Sequence, residues 1–226
     1  MNLSENRIDI WSFKLNTPPT REDYELILSD EEKKRASRYH FERHQRRFAV
    51  ARITLRKILA DHLGVMPQHL KFDTHRHGKP FLSYPATPLE FNLSHSGEHA
   101  LLAIGKTHPL GVDLEYFSNR PLIGLGRQVF SAEENNILQR LSPRDQPLFF
   151  FKLWAQKEAY IKAIGEGLSY PVAQLTAPHL MNNEQLLFKD PIYQKTWKMS
   201  SFMPAIACCA ALCCAPSIED IIYRVF

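Results

Sequence analysis

Residues 7–13, Arg-Ile-Asp-Ile-Trp-Ser-Phe, alternate apolar and polar side chains, and this period of two predicts a strand at the start of the chain. From residue 48 the period changes. Phe48, Ala51, Leu55, Ile58, Leu59 and His62 recur every three or four positions, as on one face of an amphipathic helix, and Gly64 closes it. Short apolar runs at 91–93, 100–104 and 111–116 then read as strands. A second helical pattern runs from Phe150 to Ile164 and stops at Gly165 and Gly167; strands follow at 197–201, 205–214 and 218–226.

The order helix-then-strands thus occurs twice, and the sequence repeats faintly at an offset of 102. Ser29-Asp30-Glu31-Glu32 matches Ser131-Ala132-Glu133-Glu134, and the same offset sets Phe48 on Phe150, Arg52 on Trp154 and Arg56 on Glu158. Each Ser-x-Glu-Glu has the hydroxyl and first-turn acids of a helix N-terminus. The expected fold class is α+β: two pseudo-symmetric halves, 1–110 and 111–226, each an antiparallel sheet packed with helices, with the active site between them. No low-complexity stretch or long linker interrupts the 226 residues.

Charge sharpens this division. The net charge is +4, and the whole excess lies in residues 1–110; between Lys33 and Lys57 ten basic residues accompany the single acid Glu42. Such a stretch suits phosphates, nucleic acid or an acidic protein. The opening residues lack the order of a secretory signal, and the longest weakly polar run, 202–215, is shorter than the ~20 residues of a membrane helix. A cytoplasmic protein without a membrane partner is expected. Cys208, Cys209, Cys213 and Cys214 sit in the predicted strand 205–214. Cys209 and Cys213 would share a face ~13 Å apart, too far for one metal or a disulfide. They read as small packing residues in a reducing compartment.

Two segments carry candidate chemistry. Gly111-Val112-Asp113-Leu114-Glu115 puts two carboxylates on one face of a strand and Val112, Leu114 and Tyr116 on the other. The pair is either a solvated acidic face or a site for a hard divalent cation with oxygen ligands. Trp154, Glu158 and Lys162 lie at i, i+4 and i+8 of the second helix. Glu158 and Lys162 are either a surface ion pair or a third metal ligand followed by a cation for a phosphate. Gly78-Lys79-Pro80 reads by itself as a hairpin turn with a solvated lysine. Asn92-Leu93-Ser94-His95-Ser96 sets a serine beside a histidine, but without a Gly-x-Ser-x-Gly elbow it does not make a hydrolase.

Taken together and in order, Gly-Val-Asp-Leu-Glu at 111–115 and Trp-Ala-Gln-Lys-Glu-Ala-Tyr-Ile-Lys-Ala at 154–163 resemble the signature of the 4'-phosphopantetheinyl transferase superfamily. The two-half length resembles its Sfp-type (surfactin-synthetase-activating) branch. The resemblance implies transfer of the phosphopantetheine arm of coenzyme A to a serine of an apo acyl or peptidyl carrier protein, releasing 3',5'-ADP. It implies Mg²⁺ held by Asp113, Glu115 and Glu158, with Glu158 as base and Lys162 steadying charge on the phosphate. Gly78-Lys79-Pro80 and Asn92-Leu93-Ser94-His95-Ser96 resemble the family's coenzyme segments, so Lys79, Ser94 and His95 would contact the nucleotide and phosphates. Arg35 and Arg47 would grip the 3'-phosphate region. Glu32 departs from the pattern, standing where relatives often carry a base, which implies a phosphate contact missing or supplied by Lys33 or Lys34.

Two other classes remain as alternatives. A nucleic-acid-binding protein would use the basic stretch and leave the three acids idle. A metal-dependent nuclease or phosphohydrolase would use the acids and leave the coenzyme-like segments unexplained. The transferase reading implies a monomer, a pseudo-dimer within one chain, that binds no nucleic acid.

Overall fold

The computed structural model describes residues 3–177 and 185–226. Along the chain run β1 (Arg7–Lys14), α1 (Arg21–Ile27), α2 (Asp30–Ser37), α3 (Glu42–Leu63), the hairpin β2 (Lys71–Thr74) and β3 (Pro80–Tyr84), then β4 (Leu89–Ser96), β5 (His99–Lys106) and β6 (Gly111–Tyr116). There follow α4 (Leu122–Val129), α5 (Ala132–Arg140), α6 (Gln146–Ile164), β7 (Gln185–Lys189), β8 (Thr196–Ala205), β9 (Cys208–Cys214) and β10 (Asp220–Val225). One four-stranded sheet has the order β10-β1-β5-β4, the other β6-β9-β8-β7. The chain is α+β, as its two periods implied.

The alternation in β1 has a reason beyond one wet face: both of its faces are buried. Trp11 and Phe13 pack with Leu55, Ile58 and Leu59 of α3, while Ile8 and Ile10 pack with Val112, Leu114 and Leu212 of the second sheet. The far side of that sheet packs on α6 through Ala155, Ala159, Tyr160, Met199 and Ala211. The layers are therefore helix, sheet, sheet, helix, with the sheets face to face.

The repeat at offset 102 is structural. Ser29 and Ser131 each cap a helix, α2 and α5, and Glu32 and Glu134 complete reciprocal capping boxes. Each glutamate also fastens its short helix to the long one. Glu32 pairs with Arg52 at 2.5 Å and Arg56 at 2.8 Å, and Glu134 pairs with Lys157 at 2.8 Å. Glu32 is buried. Its carboxylate is taken up by Arg52 and Arg56, and Lys33 donates to the Glu25 carbonyl.

Three expectations need correction. Residues 218–226 do not extend the second sheet: β10 pairs in parallel with β1, Ile8 opposite Ile221 and Trp11 opposite Arg224, so the last strand completes the first half's sheet. Asp9, fully buried, receives Arg224 at 2.8 Å and Arg7 at 2.7 Å and fixes that crossing. The strand expected at 205–214 is a hairpin, with Ala205 ending β8 and Ala207 at φ 54° turning the chain into β9. Finally, α3 starts at Glu42 rather than Phe48, with no side-chain cap to announce it.

All four cysteines are free and buried in β9. Cys208 and Cys214 join the core between the sheets, and Cys213 faces α6. Burial pushes the Cys209 thiol up to about 11 and the Cys208 and Cys214 thiols up to about 12. They are packing residues. No helix among the described residues is long and apolar enough to cross a membrane.

Candidate active site

The two sheets meet at an edge. β4 ends the first sheet and β6 the second, and side chains, not a ladder, lace them together. Because the strand expected at 91–93 runs on through Ser96, the side chains of 92–96 alternate. Asn92, Ser94 and Ser96 face β6: Asn92 Oδ1 accepts the Val112 amide at 2.9 Å, the Ser94 hydroxyl donates to Asp113 Oδ1 at 2.7 Å, and Ser96 donates to Glu115 Oε2 at 3.2 Å. His95 lies on the opposite face of the strand and is exposed. Desolvation and the nearby cations Lys162 and Arg47 hold its imidazole pKa below the usual value.

The neighbouring helix α6 presents Trp154, Glu158 and Lys162 along β6. The Trp154 indole donates to Glu115 Oε1 at 3.2 Å, and the Lys162 ammonium reaches Asp113 Oδ1 at 2.5 Å and Ser94 Oγ at 2.9 Å. Glu158 lies between. Burial first, then the charge of Asp113, raises its carboxyl pKa, with Glu115 adding to the effect and Lys162 opposing it. Glu115 is raised in the same way, by burial and then by Asp113. The approach of strand and helix depends on Gly111, where a Cβ would stand 2.1 Å from the Ala159 carbonyl oxygen. No other residue fits there.

The structure therefore brings Asp113, Glu115, Glu158, Lys162 and Ser94 together. Among the described residues no three His, Cys, Asp or Glu side chains are gathered tightly enough to hold a metal ion as they stand. The cation on Asp113 is the Lys162 ammonium. Yet the donor set suits a hard divalent ion: three carboxylates, two with raised pKa values, and Asp113 Oδ2 buried without a hydrogen-bond partner.

A pocket of about 300 Å³ opens beside these groups, lined from the first half by Lys79, Pro80, Asn92 and Leu93 and from the second by Glu158 and Lys162. The other expected ligands are placed less uniformly. Arg47 donates to Glu98 Oε1 at 2.7 and 3.0 Å, a carboxylate it shares with Arg46. Arg35 lies over the Phe48 ring at 5.2 Å. Lys79 donates to the carbonyls of Leu110 and Ala163. At least six of the ten basic residues between Lys33 and Lys57 are in ion pairs, so much of that stretch's charge is already neutralised.

Four partners were missed by sequence reasoning: Asn92, Ser96, Trp154 as a donor, and Glu98. A signal existed for the first two, since Asn92, Ser94 and Ser96 share period two, but the expected strand stopped at Leu93.

The sequence profile of the 4'-phosphopantetheinyl transferase superfamily matches residues 109–210, and that of the 4'-phosphopantetheinyl transferase N-terminal region matches residues 17–107. The chain is 38% identical to the 4'-phosphopantetheinyl transferase HetI of Nostoc sp. over 175 residues, 75% of this chain and 73% of that protein. It is 30% identical to the human L-aminoadipate-semialdehyde dehydrogenase-phosphopantetheinyl transferase over 83% of this chain and 68% of the other. Against the 4'-phosphopantetheinyl transferase Sfp of Bacillus subtilis it is 25% identical over 89% of this chain and 92% of the other.

Proposed function

The chain belongs to the 4'-phosphopantetheinyl transferase superfamily and is a transferase, and from that premise we propose that it moves phosphopantetheine from coenzyme A to a serine of an apo acyl or peptidyl carrier protein, releasing 3',5'-ADP. The observation that carries the proposal is the meeting of Asp113, Glu115, Glu158 and Lys162 at the edge of a pocket shared by both halves.

Asp113, Glu115 and Glu158 would hold Mg²⁺ through oxygen ligands. Bound there, the ion would neutralise charge on the pyrophosphate oxygens of coenzyme A. The rest falls to the chain's own groups. Ser96 and Trp154 hold one Glu115 oxygen each and so fix its orientation. Glu158, with its raised pKa, is a stronger base than a solvated carboxylate and would take the proton of the carrier serine as its oxygen attacks the β-phosphorus. Lys162 would steady charge on the phosphate being transferred, and positioning with charge neutralisation supplies most of the acceleration.

On the first-half side, His95, Arg47 and Arg35 would receive the phosphates, with Arg47 exchanging Glu98 for the 3'-phosphate. Ser94 spans the two sides. Its hydroxyl is committed to Asp113, so it would orient that carboxylate as well as meet the coenzyme. The protein would act as a cytoplasmic monomer without nucleic-acid or membrane partners. Mass spectrometry of candidate apo carriers incubated with coenzyme A and Mg²⁺ tests the whole reading. The expected result is the added phosphopantetheine mass, dependent on Glu158; no carrier modified under any metal condition would refute it.

A further inference from the structure

We infer that Lys79 is a positioning residue, whose ammonium clamps β6 and α6 together from the first half, and that it does not act as a phosphate ligand. Its Nζ donates to the Leu110 carbonyl at 3.0 Å and to the Ala163 carbonyl at 3.1 Å. Leu110 is the residue before β6, and Ala163 lies in the last turn of α6. The final carbonyls of a helix have no partner within it and carry the negative end of its dipole, so a cation is favoured there. The lysine stem is packed as well: a Cβ on Gly165 would touch its Cδ at 3.4 Å.

The location matters because strand and helix are in backbone contact at this point. A Cβ on Gly111 would stand 2.1 Å from Ala159 O and 2.4 Å from Ala163 N. The clamp closes beside that contact. Three residues along β6 lies Asp113, and one residue back along α6 lies Lys162, the pair held at 2.5 Å. An ammonium that left to meet a phosphate would abandon both carbonyls and the register of the two elements bearing the reacting groups. The lysine of a turn that reads as solvated in the sequence is thus an internal tie between halves. Its neighbour His77 adds a weaker contact to the same end of α6, with Nε2 3.7 Å from Glu166 Oε2.

Two measurements test this, and only the turnover readout rests on the proposed transfer. The first uses the unaltered protein: acetic anhydride labelling read by mass spectrometry, with and without coenzyme A. Lys79 is expected to stay unlabelled in both states while exposed Lys34 and Lys71 react. Ready labelling of free protein, suppressed by coenzyme A, would overturn the clamp. The second uses Lys79→Met, which keeps the stem and removes the charge. Turnover should fall about tenfold, as a small misplacement of reacting groups costs. Coenzyme A affinity should change by less than about threefold with its salt dependence intact, and amides at 110–113 and 161–165 should exchange faster with deuterium. A large affinity loss with unchanged exchange would return Lys79 to a ligand role. If the variant does not fold, the labelling result decides. If no carrier is modified by the unaltered protein, the transferase reading fails while labelling still judges the clamp.

Discussion

The Lys162 ammonium stands 2.5 Å from Asp113 Oδ1, the same oxygen that accepts the Ser94 hydroxyl at 2.7 Å. The other oxygen of Asp113 is buried and unpartnered. One oxygen of this carboxylate is thus satisfied by the chain, and the other has no partner among the described residues. Asp113→Asn should lower turnover by about 100-fold or more, since a fixed charge aimed at the reacting phosphates is lost. Its melting temperature should stay close to that of the parent, because Lys162 is part-exposed and can turn to water. Steady-state kinetics in Mg²⁺ with a parallel thermal melt checks both, and near-parental turnover would remove Asp113 from the machinery.

Glu158 and Lys162 differ in what they should cost. Glu158→Gln keeps an acceptor and removes a base, so turnover should drop by about 10²- to 10⁴-fold with coenzyme affinity little altered. Lys162→Ala should also lower turnover. Comparing kcat with a directly measured Kd for each variant separates the roles; loss confined to Kd would make both residues simple binding groups.

Arg47 can meet a phosphate only by releasing Glu98, which binds both Arg46 and Arg47. Arg47→Ala should weaken coenzyme A more than dephospho-coenzyme A, by ~1.5–3 kcal/mol for a charge-assisted contact. Glu98→Gln, which loosens the competing pair, should tighten coenzyme A instead. Calorimetry with both ligands distinguishes this from an arginine serving only to hold the β4–β5 turn, for which both variants would leave the ligand preference unchanged.

Glu32 makes acid stability measurable. Burial pushes its carboxyl pKa up, but Arg52, the Ser29 amide and Arg56 outweigh it, and the net value is lowered. A lowered folded-state pKa contributes stability above the ordinary carboxylate range and loses it as pH falls through the folded value. Glu32→Gln should therefore melt well below the parent at pH 7, and the gap should close progressively below about pH 4.5, the range of an unperturbed glutamate. A gap independent of pH would assign the loss to packing alone.

Isolated halves should be inactive, and the topology says why. A fragment of residues 1–110 lacks β10, which covers β1, and lacks all of β6 and α6. Equilibrium dialysis of the full chain should find one coenzyme A per monomer, since Asp113, Glu115 and Glu158 lie only in the second half and Arg35, Arg47 and His95 only in the first. Two equivalent sites would contradict that division.

The sequence by itself determined the periods, the caps and the chemistry of the groups. Ser29 and Ser131 start α2 and α5 because their local side-chain geometry satisfies nearby amides, and Gly64 and Gly165 end the long helices α3 and α6, both at positive φ. Asp113 and Glu115 share a face, and Trp154, Glu158 and Lys162 share another, from residue spacing alone. Only the tertiary structure decided which of these faces meet. That β10 crosses to β1, that Glu32 closes on Arg52 and Arg56, and that Lys79 reaches Leu110 and Ala163 are contacts across 20 to more than 200 residues. Local spacing cannot specify such pairs, because a lysine on a turn or an acid on a helix has the same local pattern whether water or another element lies beyond it. The packing of two sheets face to face supplies that neighbour, and with it the role of the residue.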